Sequence, residues 1–221
     1  MIRRTLLVAV AAASLATGQA WASEAPRILA TGDSMMLLTD EELKDALANR
    51  AHVLSDVRAA TGLTKPHLFD WQHYARRQMA RRRPDVVVAA MGANEAFAIG
   101  RAKCCGRRWS ARYSKRVERL AASWRRHGAD AVYWLTLPEP VESFITPRVR
   151  GVNRAVRAAR GIRLVDAYAL LTPDGVFHRD METSPGVVQQ VRSDDGVHLW
   201  WPGARIVAAQ IVRQLEADGV V

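Results

Sequence analysis

Four short stretches hold the residues with chemistry in them. Thr31-Gly32-Asp33-Ser34 interrupts two apolar runs and supplies a hydroxyl. Thr61-Gly62 and Gly92-Ala93-Asn94-Glu95 supply glycines, a carboxamide and a carboxylate. Asp194-Asp195-Gly196-Val197-His198 supplies an imidazole with an acid three residues before it. Together these are the parts of an acyl-transfer site. A serine hydroxyl is a weak nucleophile until a base takes its proton. His198 can be that base for Ser34, and Asp195 can bond the other ring nitrogen, fixing the tautomer and stabilising the imidazolium. Attack on an ester creates an oxyanion, which needs preorganised donors. The Ser34 N–H at a helix start, the Gly62 N–H and the Asn94 side-chain amide are candidates. Alone, each stretch has a plain structural reading: Gly-Asp-Ser is a common turn, Gly62 and Asn94 terminate elements, and a DxxH is frequent in loops. Their force is joint, because each fills a different role in one mechanism.

Those parts can meet only if the elements before them bring them to one edge. From Arg27 the chain alternates between apolar, strand-like runs and amphipathic, helix-like runs. RILATG, HVLSDVRAATG, PDVVVAAMGAN, ADAVYWLTLPEP and IRLVDAY read as five strands. PDVVVAAMGAN is the clearest, with a β-branched run suited to burial on both faces. Helices are expected in LTDEELKDALANR, capped by Thr39 or Asp40, and in FDWQHYARRQMARRR from Asp70. Further helices are expected in SARYSKRVERLAASWRRHG, ending at Gly128, in TPRVRGVNRAVRAARG and in WPGARIVAAQIVRQLEADG. Such alternation predicts a doubly wound α/β domain with a mostly parallel central sheet of five strands. In such sheets ligands bind at the carboxyl ends of strands, near the point where strand order reverses. Ser34, Gly62 and Asn94 follow strands one, two and three. Phe97–Trp109 and Leu171–Asp194 are the least regular segments, and loops of that length commonly shape a site.

Residues 1–22 read as a secretory signal peptide: Arg3 and Arg4 begin it, an uncharged apolar run covers Leu6–Ala16, and Ala20-Trp21-Ala22 is a small-x-small cleavage signal. The run is short for a bilayer span. The expected mature chain, residues 23–221, is one domain, periplasmic or secreted, with no stable membrane insertion after cleavage. Loss of Arg3 and Arg4 takes the net charge from +10 to +8. The arginines are scattered, with clusters at Arg76-Arg77, Arg81-Arg82-Arg83 and Arg107-Arg108, and no aromatic residues interleave them as in a single-strand binder. Solvated helix faces are the simpler reading, and no nucleic-acid partner is expected of an exported chain. Cys104 and Cys105 are adjacent: two free thiols and a vicinal disulfide are both open, and CC alone is no metal site. His52, His67, His73, His127 and His178 have no matching role. Trp71, Trp200 and Trp201 flank the proposed site and could either stack on a sugar ring or pack inside.

GDSM, a glycine after strand two, GAN after strand three and DGVH near the C-terminus resemble, in order, the blocks of the SGNH (GDSL-like) hydrolase superfamily. TGLTKPHLFDW and DGVHLWWPGARIVA look closest to a poorly characterised, exported bacterial branch of it. The resemblance spans Gly32 to His198. It implies a flavodoxin-like three-layer sandwich with a central parallel sheet. It also implies a serine esterase with Ser34 as nucleophile, His198 as base and Asp195 as its partner. Ser34, Gly62 and Asn94 would be oxyanion donors, and neither a metal nor an organic cofactor is implied. One departure stands out: the family block is commonly Gly-x-Asn-Asp, and Glu95 fills its last place here. Altered loop packing is expected there, more than lost activity. The expected substrate is a small-molecule or carbohydrate ester bearing a small acyl group. The competing readings are an O-acyltransferase acting on polysaccharide and a non-catalytic module for an anionic polymer. Nothing in the sequence bears on oligomeric state.

Overall fold

The structure, a computed structural model, describes residues 24–221; the expected signal peptide lies outside the described residues. Five strands form one parallel sheet: β1 (Arg27–Gly32), β2 (His52–Val57), β3 (Val86–Ala90), β4 (Ala131–Leu135) and β5 (Arg163–Val165). Their spatial order is β2-β1-β3-β4-β5. Strand order therefore reverses between β1 and β3, and the chain segments leaving these two strands diverge there. β3 and β4 are buried along their whole lengths, as a central strand covered on both faces must be. On one face α1 (Thr39–Ala46) packs against α6 (Trp201–Ala217). On the other, α3 (Arg107–Arg126) packs against both α2 (Trp71–Arg82) and α4 (Thr146–Ala158). This is the doubly wound α/β domain the pattern predicts, in the three layers the resemblance implies.

Local chemistry sets the element ends. Asp70 caps α2, its Oδ1 accepting from the Gln72 and His73 N–H groups at 2.9 and 3.0 Å, a cap worth about 1 kcal/mol. Between the sheet and α2/α3, Trp124 donates to Gln78 Oε1 at 2.9 Å, and Gln78 Nε2 donates to Thr31 Oγ1 at 2.8 Å. That chain of bonds ties both helices to β1 just before Ser34.

The structure differs from the sequence reading in several places. Neither Thr39 nor Asp40 caps α1; Leu38 holds the cap position with φ of 64°, and both polar residues turn inward. The α3 helix starts several residues earlier than SARYSK, at Arg107. The segment Leu171–Asp194, read as irregular, contains an antiparallel hairpin, β6 (Asp180–Ser184) and β7 (Val187–Gln190). A short α5 (Ala167–Leu171) precedes it. Of the two states left open for Cys104 and Cys105, the structure has the vicinal disulfide. Trp71 is buried and donates to Thr61 Oγ1 at 3.2 Å, so it packs inside. No described helix is long and apolar enough to cross a membrane.

Candidate active site

Gly32 ends β1 where that strand presses against the end of β3. A Cβ at Gly32 would lie 1.8 Å from the Ala90 carbonyl oxygen, and its φ is +147°. Only glycine fits such an approach. The next residue, Asp33, is fully buried and donates its N–H to the Ala90 carbonyl at 3.1 Å. Its carboxyl accepts from the Met35 N–H at 2.9 Å and from the Gly92 N–H at 2.8 Å. Asp33 thus caps the short 3-10 turn Ser34–Met36 and, with the same side chain, fastens it to the loop after β3. Ser34 is the first residue of that turn, held between the carboxyl ends of β1 and β3.

Ser34 meets an imidazole there. Its Oγ is 2.7 Å from His198 Nε2, and His198 Nδ1 is 2.6 Å from Asp195 Oδ2. The other Asp195 oxygen accepts from the backbone N–H groups of Val197 and His198 at 2.8 and 2.9 Å. Burial opposes ionisation of Asp195, but the bonds from the His198 ring and from these two N–H groups outweigh it and hold the carboxyl below its ordinary value. An ionised Asp195 can only accept, so Nδ1 carries the ring proton and Nε2 is free to accept from the Ser34 hydroxyl. Asp194, one residue earlier, turns away: it is 2.9 Å from Arg179 Nη2 and also accepts from Gln190.

The loop carrying His198 is built around Arg192, which is completely buried. Its guanidinium donates to the carbonyls of Glu139 at 2.7 Å, Val197 at 2.9 Å and His198 at 3.4 Å, and lies 5.0 Å from the Phe177 ring centroid. Burial pushes it down to about 10, against the opposing pull of Asp195 and Glu139. Gly196 makes the turn inside the motif with φ of +69°, and a Cβ there would lie 2.0 Å from Val141 Cγ1. The glycine of DGVH is therefore required by both conformation and space.

Glu95 accounts for the loop after β2. It is fully buried and accepts from the Thr64 N–H at 2.9 Å and from Tyr113 Oη at 3.0 Å; it also bonds the Leu63 N–H and the Thr64 hydroxyl. A Cβ on Gly62 would lie 2.8 Å from Glu95 Oε1. The carboxylate in the departing place thus ties the β3 loop to the β2 loop, and Gly62 is the residue it presses upon. Burial raises the Glu95 carboxyl above its ordinary value, with these hydrogen bonds opposing.

Ser34, Asn94, Asp195 and His198 line one open cleft of about 340 Å³, together with Lys65, Ala93, Ala96, Phe97, Ile145, Arg148 and Val197. Gly62 instead lines a second groove, together with Trp71 and Arg116. The N–H groups of Ser34 and Gly62 donate to no protein acceptor among the described residues, and Asn94 Nδ2 makes one long bond, 3.4 Å, to Asp33. Trp200 and Trp201 are half-exposed and line neither space. Lys65, Phe97 and Arg148 were not foreseen as site residues; Lys65 stands in TGLTKPHLFDW and Arg148 in an expected helix, but neither residue type signals a cleft by itself. Among the described residues no cluster of three or more His, Cys, Asp or Glu side chains could hold a metal ion.

Two buried carboxyls beneath the serine make stability pH-dependent. Burial, reinforced by the charge of Glu95 and opposed by the Met35 and Gly92 N–H groups, raises Asp33 from 3.8 to about 6. Between those values the native protein holds a proton that the unfolded chain has released, so stability falls as pH rises from about 4 to about 6. At 1.36 kcal/mol per pKa unit the loss is on the order of 2–3 kcal/mol. Asp33→Asn cannot ionise. The stability of the wild type relative to this variant should drop by that order between pH 4 and 7 in thermal unfolding. A pH-independent difference would show that Asp33 does not titrate there.

Solved structures share this arrangement of elements. A protein from Slackia heliotrinireducens, described as a candidate SGNH hydrolase, superposes with a TM-score of 0.59 at 18% identity, covering 87% of this chain and 100% of that one. The C-terminal catalytic domain of the peptidoglycan O-acetyltransferase OatA from Streptococcus pneumoniae gives 0.54 at 16% identity, covering 88% and 94%. A candidate arylesterase from Agrobacterium tumefaciens gives 0.56 at 15% identity, covering 87% and 99%. No curated protein matches the sequence. At these identities the likeness establishes the SGNH hydrolase fold. Residues 27–214 match the family described as "Protein of unknown function (DUF459)", and since the match covers most of the sequence, the chain belongs to that family.

Proposed function

We propose that the protein is an exported serine esterase that removes a small acyl group from an ester on a carbohydrate or small-molecule carrier. The observation that carries this reading is the continuous chain Asp195–His198–Ser34, with bonds of 2.6 and 2.7 Å, opening on a cleft. Ser34 Oγ attacks the ester carbonyl as His198 Nε2 takes its proton. The negative charge moves to the former carbonyl oxygen, and the N–H groups of Ser34 and Gly62 with the Asn94 amide are the candidate donors to it. Collapse of the intermediate breaks the C–O bond, and His198 returns the proton to the departing alcohol. Water, deprotonated by the same ring, then releases the acid and restores Ser34. Ala93, Ile145 and Val197 give the cleft an apolar part suited to a short acyl chain. A sugar hydroxyl replacing water would make the same acyl-enzyme an O-acyltransferase, the activity named for the pneumococcal neighbour. Export is inferred from the leader-like residues 1–22.

A serine-reactive fluorophosphonate tests the reading: one covalent adduct is expected, on Ser34. A folded sample that takes no label would favour the non-catalytic binding module. The donor assignment has its own test. Asn94→Ala should lower kcat by about 10²–10³, the usual loss for one oxyanion donor, with little change in KM because the bond forms to the transition state. A near-wild-type kcat would leave the oxyanion to backbone donors alone.

A further inference from the structure

We propose that Lys65 and Arg148 select an ester whose alcohol portion carries an anionic oxygen group, a carboxylate or a phosphate; the proposal rests on Ser34 being the nucleophile. Both side chains line the cleft that holds Ser34 and His198. Both are partly buried, yet neither has a carboxylate within ion-pair distance or any side-chain hydrogen bond among the described residues. Arg50, Arg58, Arg150, Arg157, Arg163, Arg179 and Arg205 each face an acid; of the basic side chains that do not, Lys65 and Arg148 are the two that line this cleft among the described residues.

Each free cation rests instead on an exposed aromatic ring. Lys65 Nζ lies 5.6 Å from the Phe97 centroid and the Arg148 guanidinium 5.5 Å from that of Phe144. Phe97 and Phe144 are 46% and 61% exposed. A ring face steadies a cation without neutralising it, so both charges remain available to a ligand. Among the described residues the one carboxylate lining the cleft, Asp195, is already committed to the His198 ring and two backbone N–H groups. The cleft therefore offers two unneutralised positive groups beside the nucleophile. They come from different elements, Lys65 from the loop after β2 and Arg148 from the first turn of α4. An anionic group bound in this partly desolvated cleft would gain charge-assisted bonds from these side chains. The same two groups would draw anionic substrates toward the serine before contact.

Matched esters test this on the full chain. One pair is para-acetoxybenzoate with its methyl ester; the other is para-acetoxyphenyl phosphate with its dimethyl ester. The quantity read is the ratio of kcat/KM for the charged over the neutral member, compared between wild type and variants, so that intrinsic reactivity cancels. Lys65→Met and Arg148→Met should each lower the ratio by about 3–10-fold, the usual size of a charge-assisted bond at a half-exposed site. The double variant should lose more than either, and added salt should narrow the difference. Lys65→Arg and Arg148→Lys should retain most of the preference, which a merely structural role would not predict. A fall confined to the benzoate pair assigns the site to carboxylates, and one confined to the phosphate pair assigns it to phosphates. Equal ratios in wild type and the double variant overturn the proposal while leaving the esterase reading intact. A folded wild type that hydrolyses none of the esters overturns both.

Discussion

Ser34→Ala should abolish hydrolysis of a short-chain aryl ester, lowering kcat by about 10⁴–10⁶, the range seen when a serine nucleophile is removed from such a triad. The fluorophosphonate adduct should vanish with it. The size of the effect follows from geometry. Among the described residues lining the cleft, the Ser34 hydroxyl alone is both a nucleophile and within 2.7 Å of a proton acceptor. Without it, water would have to attack directly, and what remains is the contribution of the oxyanion donors and of binding. The fold should barely notice. The hydroxyl makes one side-chain hydrogen bond, to a ring that is itself partly exposed, so the cost should stay within about 0.5–1.5 kcal/mol. Turnover against thermal unfolding separates the two quantities. Wild-type turnover in the variant would remove Ser34 from the mechanism. Loss of both activity and fold would point to a structural role for the turn.

The parts of the site that were legible in the sequence are those fixed by the backbone. Gly32 is required by the 1.8 Å approach to Ala90, and Gly196 by a left-handed turn against Val141. Such positions leave a glycine in the sequence beside the functional residue, and apolar strand runs place them at strand ends. The central strands were legible for a related reason. Burial on both faces demands continuous apolar runs, and β3 and β4 show them. The hairpin β6–β7 was not, because it lies on the surface: β6 alternates exposed and half-exposed residues and buries no apolar stripe. Its polar DMETS strand gives periodicity nothing to detect.

Tertiary reach was the other thing the sequence withheld. Arg192 is one arginine among 32 basic residues, yet it is the one whose guanidinium fills the centre of the His198 loop. Its sequence neighbours do not distinguish it from the solvated arginines of α2 or α3. Glu95 looked like a departure within a motif, and expected consequences stopped at altered packing. In the structure it bonds residues more than thirty positions away, Leu63 and Thr64, and so joins the β2 and β3 loops. Asp33 does the equivalent work between β1 and β3 through the Gly92 N–H. The two carboxyls together tie all three strand ends that carry candidate site residues. Each costs desolvation, which is why both are raised, and each offsets that cost with several hydrogen bonds.

Asp195→Asn should lower kcat by about 10⁴ with little loss of fold, whereas Asp194→Asn should keep most of its activity. The two acids are adjacent in sequence, so composition, local charge and helix propensity are matched between the variants. They differ in what they touch. Asp195 Oδ2 is 2.6 Å from His198 Nδ1, while Asp194 is held by Arg179 and Gln190 on the far side of the turn. In Asp195→Asn the side chain can still accept from the Val197 and His198 N–H groups through its oxygen, so the loop stays in place. Its NH₂ then faces Nδ1 as a donor, and the ring is driven to present Nδ1 as acceptor and Nε2–H toward Ser34. That tautomer cannot take the serine proton, and the carboxylate that would stabilise the imidazolium is gone. The effect should appear in kcat more than in KM, because the ground-state ester touches neither atom. The base must be neutral to accept the serine proton, and Asp194→Asn leaves its partner untouched, so that variant should match the wild-type kcat/KM closely. Asp195→Asn should lie far below both, because removing the anion disfavours the imidazolium in every step that forms it. Measuring kcat/KM for the three proteins decides the assignment: an active Asp195→Asn beside an inactive Asp194→Asn would transfer the role to the neighbouring acid and break the hydrogen-bonded chain on which the mechanism stands.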